Sequence, residues 1–269
     1  MTALLLGGGV GLGLAIAMAG AWLVQRRTRN AGWVDAIWSF ALGLAGLTYA
    51  LAPIPGHAWP APRQIIVAAV IAIWSLRLGL HLAKRAYRAT REDSRYARFR
   101  VEWGAHFERR MFWFLELQAA AAMLLAPAVL IAARNPSALG LMDMLAIVVA
   151  TIALVGEALA DRQLRDFKRD PSRRSGICDR GFWRWSRHPN YFFEWLSWLA
   201  YPLFAIDFSG TYFWGWLGFG APALIYYLLV HVSGIPPLEQ EMLRTRGAAY
   251  RDYQARTRAF FPWPKATET

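Results

Sequence analysis

The sequence predicts an all-α, polytopic membrane protein that crosses the bilayer seven times, and three observations predict it. Hydrophobic residues fill 56% of the 269 positions and charged residues only 18%, unlike a typical soluble domain. Long apolar runs recur along the chain, and the longest reach the ~20 residues that a transmembrane helix needs. Lys and Arg gather in alternate connecting segments, the asymmetry that sets membrane orientation. No repeat of fixed period and no low-complexity linker breaks the pattern, so a single integral-membrane domain is expected over 1–269.

The first run, Leu4 to Val24, has no positive charge before it and reads as a span rather than a cleaved signal. Its glycines from Gly7 to Gly13 lack the third glycine of a dinucleotide loop, which would fall on Leu14 or Ile16. They predict close helix packing instead, through Gly7/Gly11 and Gly9/Gly13. Further spans are expected at 34–52, 64–83, 111–133, 139–160, 191–208 and 212–232. Helices one to four fill 1–133, and helices five to seven with their loops and tail fill 139–269. The span after Tyr191 is short and carries Pro202 and Asp207.

Cations follow the first span at Arg26, Arg27 and Arg29, the third from Lys84 through Arg91 to Arg110, and the fifth from Arg162 through Arg174 to Arg187. More lie between Arg244 and Lys265, while the other loops hold little beyond Arg63 and Arg134. The amino terminus is therefore expected outside and the carboxyl terminus in the cytoplasm. This placement accounts for the formal charge of +12 and removes the case for nucleic acid as a partner. The single cysteine, Cys178, excludes an internal disulfide and a Cys-cluster metal site, and no metal is expected.

Orientation does not explain why two of these loops also hold carboxylates, Trp and His at tight spacing. Glu157 and Asp161 are four apart on the fifth helix, and Arg165 and Lys168 continue that face. Such acids suit amides and hydroxyls and such cations suit phosphate; the same residues also make an ordinary ion-pair ladder. Pro189 bars His188 from helical backbone and starts the next helix, so Asn190 and Tyr191 fall in its first turn with free backbone donors, a geometry for pyrophosphate. Arg187 precedes this turn, and Glu194 follows Asn190 by four residues and needs a partner inside the span. The tail, with Glu239, Tyr250, Tyr253 and Pro262, reads as a helix folded back on the loops or as an amphipathic surface helix. Asp35, Arg77, His81, Glu116, Gln118 and Asp143 stand in or beside apolar spans. Arg77 can snorkel, pair with Glu116 or touch a ligand; Asp143, toward the outside, reads as structural or interfacial.

The run from Gly156 to Glu194, with Tyr250, Tyr253 and Pro262, resembles the carboxyl-terminal region of the steroid 5-alpha-reductase and sterol-reductase superfamily, closest to its uncharacterised bacterial branch. Its Arg-His-Pro-x-Tyr element and double-tyrosine tail are also similar to those of isoprenylcysteine methyltransferases. The resemblance implies a membrane enzyme, monomeric and in the inner membrane if bacterial. It would bind NADPH on the cytoplasmic side and reduce a carbon–carbon double bond of a lipid or steroid-like substrate entering from the bilayer among the first four helices. Glu157, Asp161 and Asn190 would hold amide and hydroxyl groups, and Arg165, Lys168 and neighbouring arginines the phosphates. Glu194 would fix the nicotinamide end, with Arg77, Arg187, His188, Tyr191, Glu239, Tyr250 and Tyr253 completing the cofactor shell. The carbonyl-side donor pair of steroid reductases maps onto Asp35 or Ala36, and Trp74; Asp35 and Trp74 with Glu194 form the expected catalytic set. Phe193 stands where those enzymes usually carry glycine. An S-adenosylmethionine-dependent lipid methyltransferase and a non-catalytic membrane protein are the alternatives.

Overall fold

The computed structural model describes residues 3–55, 59–89, 92–173 and 176–265; the loop cations Arg91 and Arg174 lie outside them. Every regular element among the described residues is helical, with one isolated bridge between Ser186 and Arg258. In order these are α1 (Ala3–Thr28), α2 (Gly32–Ala50), α3 (Pro62–Arg88), α4 (Ser94–Trp103), α5 (Phe107–Leu125), α6 (Pro127–Ala133), α7 (Leu141–Arg169), α8 (Pro189–Ala205), α9 (Gly220–Tyr227), α10 (Ile235–Arg246) and α11 (Ala248–Arg256). Among the described residues five stretches are long and apolar enough to cross a membrane: Leu4–Thr28, Pro62–Arg88, Arg95–Ala133, Leu141–Arg169 and Phe213–Arg246. The chain divides into two compact units, Met1–Asp143 with Tyr201–Ala221, and Met144–Ala200 with Pro222–Thr269.

The first unit is built on α1, α2, α3 and α5. Asn30 joins three of its parts: its side chain caps Gly32 N–H at 2.9 Å and donates to Ala86 O at 2.9 Å, tying the start of α2 to the end of α3. At the other end Gln64 donates to Ala50 O and Ala52 O at 2.9 and 2.8 Å, so the carbonyls that α2 leaves unpaired are satisfied from α3. Between these clasps α2 and α3 approach so closely that a Cβ on Gly43 would lie 2.0 Å from Ser75 Oγ. On α1, Gly7 and Gly11 face Met123 as expected, at 3.9 Å or less from a built Cβ. Gly9 and Gly13 do not pack: nothing lies within 4 Å of either. A helix turns 100° per residue, so one small-residue face cannot serve both pairs.

Asp143 proves structural. Its oxygens take Nε and Nη2 of Arg63 at 2.7 and 2.8 Å with both side chains buried, and Arg63 also donates to the carbonyls of Asn135, Ser137 and Ala138. A buried pair needs this saturation, because an ion moved out of water is stable only with partners on its remaining donors.

Helix α8 is only 17 residues long and contains Pro202. The single helix expected over 212–232 is instead a 3-10 turn at Phe213–Phe219, then α9, then a π-turn at Leu228–Val232. Pro236 and Pro237 offer no N–H to the carbonyls behind them, so the chain cannot continue as one α-helix into α10. Gly247, at φ +54°, turns it once more into α11.

Candidate functional site

The residues that the sequence singles out fall in both units. Asp35 (α2), Trp74 and Arg77 (α3) belong to the first; Glu157 to Lys168 (α7), Arg187 to Glu194, Glu239 (α10) and Tyr250/Tyr253 (α11) belong to the second.

In the second unit the segment 181–193 lies along one face of α7. Trp183 Nε1 donates to Ala160 O at 3.0 Å, and Phe182 N–H donates to Gln163 Oε1 at 3.0 Å. Gly181, at φ +56°, makes the turn; a Cβ there would sit 2.5 Å from the Gln163 amide. Farther along, Phe193 lays its ring over Gly156, where a Cβ would lie 2.3 Å from the ring, and it meets Phe182 edge-on at 5.1 Å. The phenylalanine that stands in place of glycine is thus given room by a glycine on the neighbouring helix.

On the flank of this face Asn190 Nδ2 comes to 3.5 Å from Asp161 Oδ1, joining the two helices at the first turn of α8. Glu157 is 4% exposed and Glu194 8%, and Glu194 Oε1 accepts from Trp198 Nε1 at 3.0 Å. Arg165 and Lys168 lie one and two turns beyond Asp161 and are exposed. The α7–α8 junction therefore carries buried acids at one end and open cations at the other.

Arg187 and its partners have a different role. Its Nε and Nη2 donate to Glu239 at 2.7 and 3.2 Å, while Nη1 donates to Gln254 O and Thr257 O. Four of its five N–H groups are thus occupied by protein, which leaves little for a phosphate. Glu239 gathers His188 Nε2 at 3.1 Å and Gln254 Nε2 at 2.6 Å as well. A carboxylate only accepts, so His188 carries its proton on Nε2, and its ring stacks on Tyr191 with centroids 5.5 Å apart. Burial holds the His188 pKa below the ordinary imidazole value, outweighing the opposing pull of Glu239. Burial likewise pushes the Tyr250 and Tyr253 hydroxyls up; in Tyr250 the neighbouring Glu239 charge adds to it. Tyr253 donates to the carbonyls of Trp183 and Ser186, and Ser186 Oγ to Phe260 O at 2.8 Å. The tail is folded back on the loop, and of the two sequence readings the surface helix is the one excluded.

In the first unit Asp35 accepts from Arg95 Nη2 at 2.5 Å and from the Tyr96 hydroxyl at 2.8 Å, with Arg85 at 3.8 Å. Asp35 is thus held by two cations and a hydroxyl, the hydroxyl being that of Tyr96, 2% exposed. Trp74, also 2% exposed, offers only an indole N–H. Sequence reasoning missed Tyr96 and Arg95 because they sit among the cations of a loop, and nothing in local spacing ties them to a residue 60 positions earlier.

A class follows from these features: a helical membrane protein whose buried acids and exposed cations meet at the junction of two helices. The chain belongs to a protein family of unknown function, DUF1295, whose model matches residues 21–257. An uncharacterized protein of Schizosaccharomyces pombe is 31% identical over 276 residues, covering 90% of this chain and 75% of that one. No solved structure matches.

Proposed function

We propose that the protein is a seven-span membrane reductase that uses NADPH on its cytoplasmic side to saturate a carbon–carbon double bond of a lipid-like substrate. The observation that carries this reading is the α7–α8 junction, where Asp161 meets Asn190 above exposed Arg165 and Lys168. The donor set fits a pyridine dinucleotide: carboxylates accept from carboxamide and ribose groups, and the cations take phosphates at the positive first turn of α8. Bound NADPH would supply the hydride. Asp161 and Asn190 then orient the cofactor, with Glu157 and Glu194 at its amide and hydroxyl groups. Arg187, Glu239, Tyr250 and Tyr253 hold the loop that presents Asn190. Saturating a double bond also consumes a proton.

Ligand that binds only the folded protein raises its melting temperature, by mass action. Purified protein in detergent is expected to be stabilised by NADPH and not by S-adenosylmethionine. Asp161→Ala and Asn190→Ala are expected to abolish that shift while the ligand-free melting temperature stays near wild type. Stabilisation by S-adenosylmethionine alone would establish the methyltransferase alternative, and stabilisation by neither would favour a non-catalytic role.

A further inference from the structure

We infer that the Gly156–Phe193 contact is a positioning device for the cofactor: it sets the distance across the α7–α8 junction and so determines whether Asp161 and Asn190 can act on one ligand. The inference rests on the NADPH reading above.

Three observations meet here. First, the contact is interlocked. A Cβ on Gly156 would lie 2.3, 2.5 and 2.6 Å from Cε1, Cδ1 and Cζ of Phe193, where apolar carbons settle at roughly 3.5–4.0 Å. Second, the ring cannot turn aside cheaply. Phe193 is 6% exposed and is held edge-on by Phe182 at 5.1 Å and Phe192 at 5.3 Å, and Phe182 is itself fixed to α7 through Gln163. Third, the polar contact it governs has no slack. Asn190 Nδ2 and Asp161 Oδ1 are 3.5 Å apart, the outer limit of a hydrogen bond, so a further ångström removes the pair. Gly156 lies one turn before Ala160 and two before Gln163, the residues that grip the Trp183 loop, so one helix face bears every close approach. Glu157 and Asp161 follow Gly156 and Ala160 by one residue each and ride beside that face. The spacing of the acids from α8 is therefore set by the apolar face, with Phe193 as its spacer.

The experiment measures NADPH dissociation constants and ligand-free melting temperatures for full-length protein in detergent. Gly156→Ala is expected to weaken NADPH by about tenfold or more, the effect of losing one well-placed polar contact. Adding Phe193→Ala in the same chain removes the ring that the new methyl strikes and is expected to regain part of that affinity, the methyl standing in for some of the lost spacer. Arg63→Ala serves as the control for destabilisation alone: it lowers the melting temperature and leaves the dissociation constant unchanged. Should Gly156→Ala fail to accumulate, Phe193→Ala alone is read, and weakened NADPH is expected as α8 settles toward α7. Wild-type affinity in Gly156→Ala, in Phe193→Ala, or a double variant no better than Gly156→Ala overturns the inference. A wild-type protein indifferent to NADPH overturns instead the functional reading on which it rests.

Discussion

The two units place charge against apolar surroundings in opposite ways. In the first, two sets of charges are closed on themselves: Arg63 and Asp143 hold each other in a buried pair, and Asp35 is met by Arg95, Tyr96 and Arg85. In the second, one set of charges is closed in the same manner around Glu239, and Arg165 and Lys168 are exposed along α7. The difference separates charges that hold the fold from charges held in readiness. Residue type does not distinguish them, since both units use Arg with Asp or Glu; burial against exposure does.

Breaking a closed pair gives the largest effect. Arg63→Ala leaves Asp143 buried without its partner and should cost about 3–5 kcal/mol, seen as a large drop in melting temperature. Replacing both residues by apolar ones of similar size should recover most of it, which would confirm that the pair serves packing rather than ligand binding. Arg187→Ala, in the closed set of the second unit, should cost somewhat less, about 3 kcal/mol, because Glu239 keeps His188 and Gln254. If Arg187→Ala left stability intact and removed only NADPH binding, the division into closed and open sets would fail. Tyr253→Phe deletes one buried hydroxyl and should cost about 1–3 kcal/mol by thermal denaturation.

A pH series sharpens the same contrast. His188 is neutral in the folded chain and has its pKa below the usual value of 6.5, so the unfolded chain takes up its proton first as pH falls. Stability from this residue is complete above that value and is lost as pH falls below it toward the folded pKa. The melting temperature should fall between about pH 7.5 and about pH 5.5, and His188→Asn should flatten that part of the profile. At the small end, Arg162→Ala removes an exposed pair with Asp166 at 3.6 Å and should change stability by less than about 0.5 kcal/mol.

How far the sequence could be read follows from the range over which its signals act. Apolar runs and helix-start residues operate within a few turns, and they located α1, α3 and α7 well. The start of α8 at Pro189 was also legible, and with it the first turn that sets Asn190 3.5 Å from Asp161. The destination of Arg187 was not legible, because its partner Glu239 lies 52 positions on and either a phosphate or a carboxylate would suit a guanidinium. The Tyr96–Asp35 contact was hidden for the same reason, across 61 positions. Gly9 and Gly13 show the converse: a motif with correct spacing says that helices can approach there, and not that one does.

The bridge between Ser186 and Arg258 has a consequence in time. Ser186 Oγ bonds carbonyls 73 and 74 positions later, and Arg187 draws on Thr257, 70 positions later. At ribosomal rates of about 5–20 residues per second, the loop that opens α8 waits roughly 4–15 s for the strand that will hold it. During that interval Ser186, Arg187 and His188 lack the carbonyl and carboxylate partners they have in the finished protein. A nascent chain at this stage has made α1 to α7 before it has made α10 and α11, which hold the loop.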